Sequence, residues 1–185
     1  STYPAQNEDI KTYIENVIKP EKVILSSREG CNPFTTKSVC LRPLYDQQLD
    51  FVIICRIDMH FITSIADANI RFDKFNFLFK EQGWWESARF TTDNFYMFPF
   101  SMISVVDKSL QETFCYPRGW PYVDTHGLYD KLVRYIPVEH IHFVSEEHEL
   151  SDINSFYSIC RTGLKLDEHR RKLLHPAVKE RFNYV

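Results

Sequence analysis

Residues 50–58 read Asp50-Phe51-Val52-Ile53-Ile54-Cys55-Arg56-Ile57-Asp58, an unbroken apolar run that ends at the charged residue Arg56. Five apolar residues in succession, β-branched in the middle, predict a strand that is buried on both faces of a sheet. The run stops at Arg56, and period-two alternation places Arg56 and Asp58 on the same side of this strand. Because ligands of open α/β sheets bind beyond the carboxyl ends of strands, these two residues are candidate site residues.

The residue types at this strand end suit a phosphate-containing ligand. A carboxylate such as Asp58 can hold a divalent cation, and a guanidinium such as Arg56 can hold phosphate. A strand that simply ends in an exposed ion pair has the same spacing, so the pattern alone leaves both interpretations open.

Length and composition predict one ordered globular domain over residues 1–185. The chain has 185 residues, of which 44% are hydrophobic and 15% aromatic. The net charge of -3 gives no electrostatic footprint for DNA or RNA, so we expect no nucleic-acid polymer as a partner. No apolar run approaches the ~20 residues that a membrane span requires.

Cysteine usage indicates a reducing compartment. The five cysteines include no C-x-x-C pair and leave one over, which favours free thiols over a disulfide framework. We therefore expect a cytoplasmic protein.

Apolar periodicity predicts alternating helices and strands, which is the pattern of an α/β fold. Helices are predicted over residues 7–18, 35–48, 102–114 and 124–135, with a basic helix from about 164. Pro43 must kink or restart the second of these. Strands are predicted at 23–25, 51–55, 75–79, 95–98 and 140–144, with Trp84 and Trp85 in a loop.

Several further patterns are candidate sites, each with a plainer structural interpretation. Asp93 precedes an aromatic strand, where a carboxylate is either a cap or a substrate-binding acid. Asp67-Ala68-Asn69 has the D-x-N spacing of metal ligands, although a turn suits it better. His140 and His142 either ligate a metal or alternate on an exposed face. The loop tryptophans offer flat faces to sugar rings or plug the sheet ends.

The acidic stretch 146–154 contains His148 and Asp152 and is dense in groups that can ligate a metal, but it also suits a solvated loop. No Gly-rich phosphate loop, G-x-S-x-G elbow or H-E-x-x-H motif is present in the sequence. P-loop nucleotidases, serine hydrolases and zincins are therefore disfavoured.

Four stretches, Asp50–Asp58, Phe75–Phe79, Thr92–Pro99 and Glu147–Arg161, together resemble small glycosyltransferases of the GT-A type. Large DNA viruses, chlorella viruses among them, and bacteria that build surface glycans carry such enzymes. The resemblance covers roughly residues 1–162. It implies a GT-A-like domain with a central mixed, mostly parallel β-sheet flanked by α-helices.

The resemblance also implies a function. Such enzymes transfer a sugar from a nucleotide-diphosphosugar, here a UDP-sugar with retention of configuration, to a glycan or glycoprotein acceptor. The implied setting is viral capsid or surface glycan synthesis. A D-x-D motif holds Mn²⁺ or Mg²⁺ in this family, and here the place reads Arg56-Ile57-Asp58, so one acid does most of the metal binding. The family's first nucleotide-binding strand is not visible, so either it lies outside this segment or the base is held differently.

The resemblance and the candidate sites together give each residue an expected role. Asp58 and His148 are expected to ligate the metal, and Asp93 is expected to be the catalytic carboxylate. The nucleotide-sugar is expected to contact Arg56, Asp58, Trp84 and Asp152. Two other functions remain open: a non-catalytic carbohydrate-binding module that uses the loop aromatics, and a metal-dependent phosphoesterase.

The Asp58 assignment can be tested by one substitution. Asp58→Asn should abolish Mn²⁺-dependent hydrolysis of a nucleotide-sugar and leave the fold intact, because the residue lies past the apolar run. Nucleotide release and the circular dichroism spectrum measure the two effects. Asp67→Asn is the matched control, and loss of activity in that variant instead would show that the wrong motif was chosen.

Overall fold

The computed structural model describes residues 33–56, 59–112, 125–149 and 154–159, together with residue 16. The described helices are α1 (Pro33–Leu41), α2 (Trp85–Ala88), α3 (Ile103–Glu112) and α4 (Leu128–Leu132). Short 3-10 helices occupy Arg42–Leu44, Phe100–Met102, Thr125–Gly127 and Val138–His140. The described strands are β1 (Phe51–Cys55), β2 (Met59–Phe61), β3 (Phe75–Phe77), β4 (Lys80–Glu81), β5 (Phe95–Pro99), β6 (Ile141–Phe143), β7 (His148–Glu149) and β8 (Tyr157–Ile159).

The main sheet has four strands in the order β1-β5-β3-β6. β5 runs antiparallel to β1 and β3, whereas β6 runs parallel to β3. The predicted α/β class with a mixed sheet is therefore confirmed, but the expectation of a mostly parallel sheet is wrong for the described strands. The chain returns from β3 to β5 through β4 and α2, and antiparallel neighbours need no helical crossover between them.

β5 is buried on both of its faces. Tyr96 and Phe98 contribute to one apolar cluster, which also contains residues of α1, α3 and α4. Phe95 and Met97 contribute to a second cluster on the opposite face. That face is covered by a two-stranded antiparallel ribbon of β2 and β8. Since side chains alternate along a strand, β5 divides the two halves of the core.

β1 differs from its predicted environment. Val52 is 5% exposed, but Phe51 and Ile53 are each 40% exposed, so the prediction of burial on both faces is wrong. Among the described strands β1 lies at the edge of the sheet and pairs with β5. An apolar run at a sheet edge can leave alternate side chains exposed, and the run itself does not distinguish the two positions.

Most of the other predicted elements that fall within the described residues are confirmed with shorter bounds. The predicted helix at 35–48 ends at Leu41, and Pro43 lies in a 3-10 helix that follows it. The helix at 102–114 corresponds to α3, and the strand at 140–144 corresponds to β6. Trp85 begins α2 and is buried, so its predicted place in a loop is wrong, whereas Trp84 precedes that helix.

Several predictions concern residues outside the described part of the chain. They include the helix at 7–18, the strand at 23–25, the basic helix from about 164, and the positions of Asp58 and Asp152. Within the described part, no helix has the length and apolar character that crossing a membrane requires.

Asn76 ties the centre of the sheet to the turn that precedes it. Its amide oxygen accepts from the Arg71 N–H at 2.8 Å. Its amide nitrogen donates to the carbonyl oxygens of Arg71, Lys74 and Met97 at 2.7, 2.7 and 3.1 Å. The residue is fully buried. Its side chain therefore makes four hydrogen bonds to backbone groups, and the bond to the Met97 carbonyl oxygen is buried.

We expect Asn76→Ala to lower the free energy of unfolding by at least about 2 kcal/mol, because it leaves buried backbone groups without partners. Urea denaturation measures the change. Asp73→Ala, in the exposed turn nearby, is the control and should stay within about 0.5 kcal/mol of the parent chain. Equal effects of the two substitutions would contradict the structural role of Asn76.

Candidate functional site

Asp93 lies immediately before β5 on a backbone that its neighbours hold in place. Thr92 and Asn94 are buried, and both contact the hydroxyl of Tyr157 on β8, at 2.9 and 2.8 Å. Asn94 donates to that oxygen, and the Thr92 and Tyr157 hydroxyls share a second hydrogen bond. Burial raises the pKa of Tyr157, and the hydroxyl therefore keeps its proton at neutral pH. The backbone of Asp93 is thus held in place, and its side chain is 18% exposed.

The Lys37 side chain of α1 and the Arg56 backbone at the end of β1 both contact the segment around Asp93. Lys37 Nζ donates to the Asp93 carbonyl oxygen at 2.7 Å and lies 4.7 Å from the centre of the Tyr96 ring. Arg56 follows β1, and its backbone N–H donates to the Asn94 carbonyl oxygen at 3.2 Å. Lys37 also lies close enough to Asp93 and Arg56 for both charges to affect its pKa.

Burial lowers the pKa of Lys37 to about 8, with Asp93 acting to raise it and Arg56 to lower it further. Lys37 still carries its charge in most molecules at pH 7, but it titrates close to neutrality. α1 is anchored next to Lys37, because Ser38 donates a hydrogen bond to buried Asp107 of α3. Tyr45 donates to the other oxygen of that carboxylate at 3.1 Å.

His126 and Glu81 approach Asp93 from the other side. His126 Nε2 lies 3.9 Å from Asp93 Oδ1, and His126 Nδ1 lies 3.7 Å from Glu81 Oε2. The three side chains are 26%, 18% and 10% exposed for His126, Asp93 and Glu81. They form a chain of carboxylate, imidazole and carboxylate at the rim of the sheet.

The tautomer of His126 follows from its backbone contact. His126 Nδ1 lies 2.8 Å from the carbonyl oxygen of Thr91, and a carbonyl oxygen can only accept a hydrogen bond. Nδ1 therefore carries a proton, and in the neutral ring Nε2 presents its lone pair towards Asp93. The Thr91 N–H in turn donates to the His126 carbonyl oxygen at 3.0 Å, which fixes the segment. His126 Nε2 is thus the ring atom that faces Asp93, and Nδ1 is the ring atom nearer to Glu81.

The sheet order separates these two groups of residues. β1 flanks β5 on one edge and β3 flanks it on the other. β4 follows β3, and its Lys80 forms a bridge with Thr91. The Arg56 backbone therefore contacts Asn94 from the β1 edge, whereas Glu81 and His126 lie on the β4 edge.

The residues proposed from sequence are distributed unevenly around this site. Arg56 and Asp93 lie together. Trp84 is linked to the site through Phe90, whose ring lies 6.0 Å from that of Trp84 and 6.1 Å from that of His126. His148 pairs with Lys80 on the side of β4 away from Thr91. Alternation places the His148 side chain on the face opposite Glu81. The roles of Asp58 and Asp152 stay predictions, because both residues lie outside the described part.

Within residues 33–56, 59–112, 125–149 and 154–159, no three His, Cys, Asp or Glu side chains are grouped as ligands around one metal ion. Glu81, His126 and Asp93 are spaced along a line, so they do not form such a set. Asp67 lies in a turn closed by bonds to the Ser64 carbonyl oxygen, as its alternative interpretation predicted. His142 Nε2 contacts the Asn69 carbonyl oxygen at 2.7 Å, and His140 precedes the strand.

Sequence reasoning missed Lys37, Glu81 and His126. Lys37 reaches the backbone of a residue 56 positions away, and His126 contacts a residue 35 positions away. Neither residue belongs to a motif with fixed spacing. Glu81 is recognisable in the sequence only as a polar residue that follows an aromatic run. Many surface turns share that pattern, so it does not identify a site.

The pKa of Lys37 gives a testable pH dependence of stability. Its ordinary value is 10.5 and its folded value is about 8, so the unfolded chain binds more protons between these limits. Burial of the charged lysine therefore opposes folding fully below about pH 8, and this penalty disappears as the pH rises towards 10.5. Lys37→Met lacks the penalty.

We expect the stability advantage of Lys37→Met over the parent chain to shrink between pH 7 and pH 10. Urea denaturation of both proteins at several pH values in that range measures it. A difference that stays constant with pH would contradict the lowered pKa.

Comparisons of the chain with protein-family models, with curated proteins and with solved structures found no match. Functional inference therefore depends on the chemistry of the Asp93 site. That chemistry combines a carboxylate on a fixed backbone, two cationic residues nearby and an imidazole whose Nε2 lies 3.9 Å from the carboxylate.

Proposed function

We propose that this chain is a GT-A-type glycosyltransferase that moves a sugar from a nucleotide-diphosphosugar, a UDP-sugar, to a hydroxyl of a glycan or glycoprotein. The setting is the synthesis of viral capsid or surface glycans. The observation that carries the proposal is that Lys37, Arg56, His126 and Glu81 all lie in the surroundings of Asp93. Sugar transfer needs positive charge for the leaving diphosphate and a base for the attacking hydroxyl.

Lys37 and Arg56 suit the donor side. Negative charge develops on the nucleoside diphosphate as it leaves, and fixed cations at that place stabilise the transition state more than the ground state. A guanidinium can also form paired hydrogen bonds with phosphate oxygens, which orients the donor. Mn²⁺ or Mg²⁺ held by Asp58 would neutralise more of this charge when bound.

Asp93 suits the acceptor side as a general base. The acceptor hydroxyl oxygen forms a bond to the anomeric carbon, and the bond from that carbon to the diphosphate oxygen breaks. The bonding electrons leave with the nucleoside diphosphate, and the hydroxyl proton passes to Asp93. His126 Nε2, 3.9 Å away, can accept that proton in turn. A direct attack of this kind inverts the anomeric centre, which differs from the retention that the resemblance implies.

A non-catalytic carbohydrate-binding module is the second candidate, and one observation favours it. Trp84 is 58% exposed and stacks on Phe90, which gives a flat aromatic surface at the edge of the site. Aromatic surfaces of this kind bind sugar rings without any chemistry. A binding module would hold saccharides and turn over no nucleotide-sugar.

Asp93→Asn tests the proposal. We expect kcat for sugar transfer to fall roughly 10²-fold or more, the usual effect of losing a general base, while nucleotide affinity changes little. Release of nucleoside diphosphate from UDP-, GDP- and dTDP-sugars, with acceptor oligosaccharides and Mn²⁺, measures turnover. Calorimetric titration with UDP measures affinity.

Asp73→Asn, in an exposed turn, is the matched control and should keep full activity. Unchanged transfer in Asp93→Asn, with a loss of only about 1 kcal/mol of stability, would leave Asp93 as a structural cap. Absence of turnover with every nucleotide-sugar would reject the glycosyltransferase. Release of phosphate from p-nitrophenyl phosphate in its place would indicate a phosphoesterase.

A further inference from the structure

β1 has an outer edge whose backbone groups follow from its ladder with β5, its one neighbour among the described strands. The Arg56 N–H donates to the Asn94 carbonyl oxygen at 3.2 Å, and the Asp50 carbonyl oxygen accepts from the Phe100 N–H at 3.0 Å. Residues of even number in this stretch therefore direct their backbone groups towards β5. The residues of odd number direct theirs to the outer edge of the sheet: Phe51, Ile53 and Cys55.

The side chains of these three residues share one face of the sheet and form an exposed apolar strip. Phe51 and Ile53 are each 40% exposed, and Cys55 is an exposed free thiol. Phe72 extends the strip, because it is 63% exposed and its ring centre lies 5.6 Å from that of Phe51. Val52 points to the opposite face and is buried in the core. β1 thus combines an open edge with exposed apolar side chains, an arrangement that favours pairing with another strand.

The composition of β1 does not protect this edge. The strand reads Phe-Val-Ile-Ile-Cys, so it contains no charged residue and no proline, and its ladder with β5 is continuous without a bulge. Charges, prolines and bulges are the usual means by which edge strands avoid pairing with another chain. β6, at the other end of the described sheet, is three residues long and has no exposed residue. The unprotected edge is therefore specific to β1 in the described sheet.

The sequence of this edge is complementary to itself when two copies run antiparallel. If Ile53 lies opposite Ile53 of a second copy, Phe51 lies opposite Cys55. These are the residues whose backbone groups point outward, so each of these pairs exchanges both of its backbone hydrogen bonds. The same register places Asp50 opposite Arg56 at both ends of the paired strands. These opposite charges meet at positions without backbone hydrogen bonds, where facing residues lie closest together.

We infer that β1 is the contact surface of a two-fold symmetric dimer, in which the β1 strands of two copies of this chain pair antiparallel about Ile53. Charge complementarity selects this register, because a shift by two residues places Asp50 opposite Ile54, or Arg56 opposite Val52, and loses both ion pairs. A guanidinium has five N–H donors, so its pair with Asp50 leaves donors for a phosphate. The inference does not depend on the proposed function.

Sedimentation velocity of the full chain over a wide range of micromolar concentrations tests the inference, and we expect the parent chain to sediment as a dimer. Asp50→Arg and Arg56→Asp each place like charges opposite one another, twice in a two-fold interface. Each should therefore raise the dimer dissociation constant roughly tenfold or more. The double variant Asp50→Arg/Arg56→Asp exchanges the two charges and should restore the parent value. Ile53→Lys brings two ammonium groups together at the symmetry axis and should give a monomer.

Val138→Lys is the matched control, because Val138 is 57% exposed and lies outside the sheet, and circular dichroism checks the fold of every variant. A parent chain that stays monomeric at every concentration would overturn the inference and leave the edge to the chain itself, for example to the strand predicted at 23–25. A dimer that persists equally in Ile53→Lys and Val138→Lys would place the interface elsewhere. Failure of the double charge exchange to restore association would overturn the register about Ile53.

Discussion

Burial of β5 on both faces is the constraint on which the site depends. Its residues Phe95, Tyr96, Met97 and Phe98 are each no more than 2% exposed. A one-residue slip would exchange the two core faces along the whole strand, so its register against β1 and β3 is fixed. The segment directly before β5 is held in place by the strand that follows it. Asp93 is therefore placed by the packing of the core, as a catalytic carboxylate needs to be.

The polar residues around Asp93 are placed at a cost to stability. Burial of Lys37 lowers its pKa to about 8, which means that the folded state disfavours its charged form. Glu81 is 8% exposed and carries a carboxylate that approaches His126. Packing alone gains little from such groups, because apolar side chains of similar volume bury more favourably. Clusters of this kind are characteristic of functional sites, where the charges act on a ligand.

Sequence patterns predicted the parts of the structure that depend on local periodicity. The aromatic alternation at Phe75–Phe77 and Phe95–Pro99 predicted β3 and β5, and the apolar spacing after Met102 predicted α3. Arg56 and Asp93 were identified because each lies next to an apolar run. The structure places the two residues near one another, and their roles in a site stay predictions.

The remaining features depend on long-range contacts that no local pattern encodes. The apolar run of β1 does not reveal that β1 has only one described neighbour, which is why Phe51 and Ile53 are exposed. The direction of β5 relative to β3 is also a long-range feature, because it depends on the path that the chain takes between these two strands. His126 joins the site from a 3-10 helix that is remote in sequence, and its contact with Thr91 forms only when the chain has folded.

Binding of a nucleoside diphosphate next to Asp93 is the property that separates a glycosyltransferase most directly from a binding module. Thermal unfolding with UDP, with and without Mn²⁺, measures it. Ligand at about a hundred times its dissociation constant should stabilise the fold by about 2.7 kcal/mol, which corresponds to a rise in Tm of roughly 5–10 °C. Arg56→Met should remove most of that shift. Unchanged Tm values with UDP, GDP, CDP, ADP and dTDP, in the presence of Mn²⁺, would contradict nucleotide-sugar chemistry at this site.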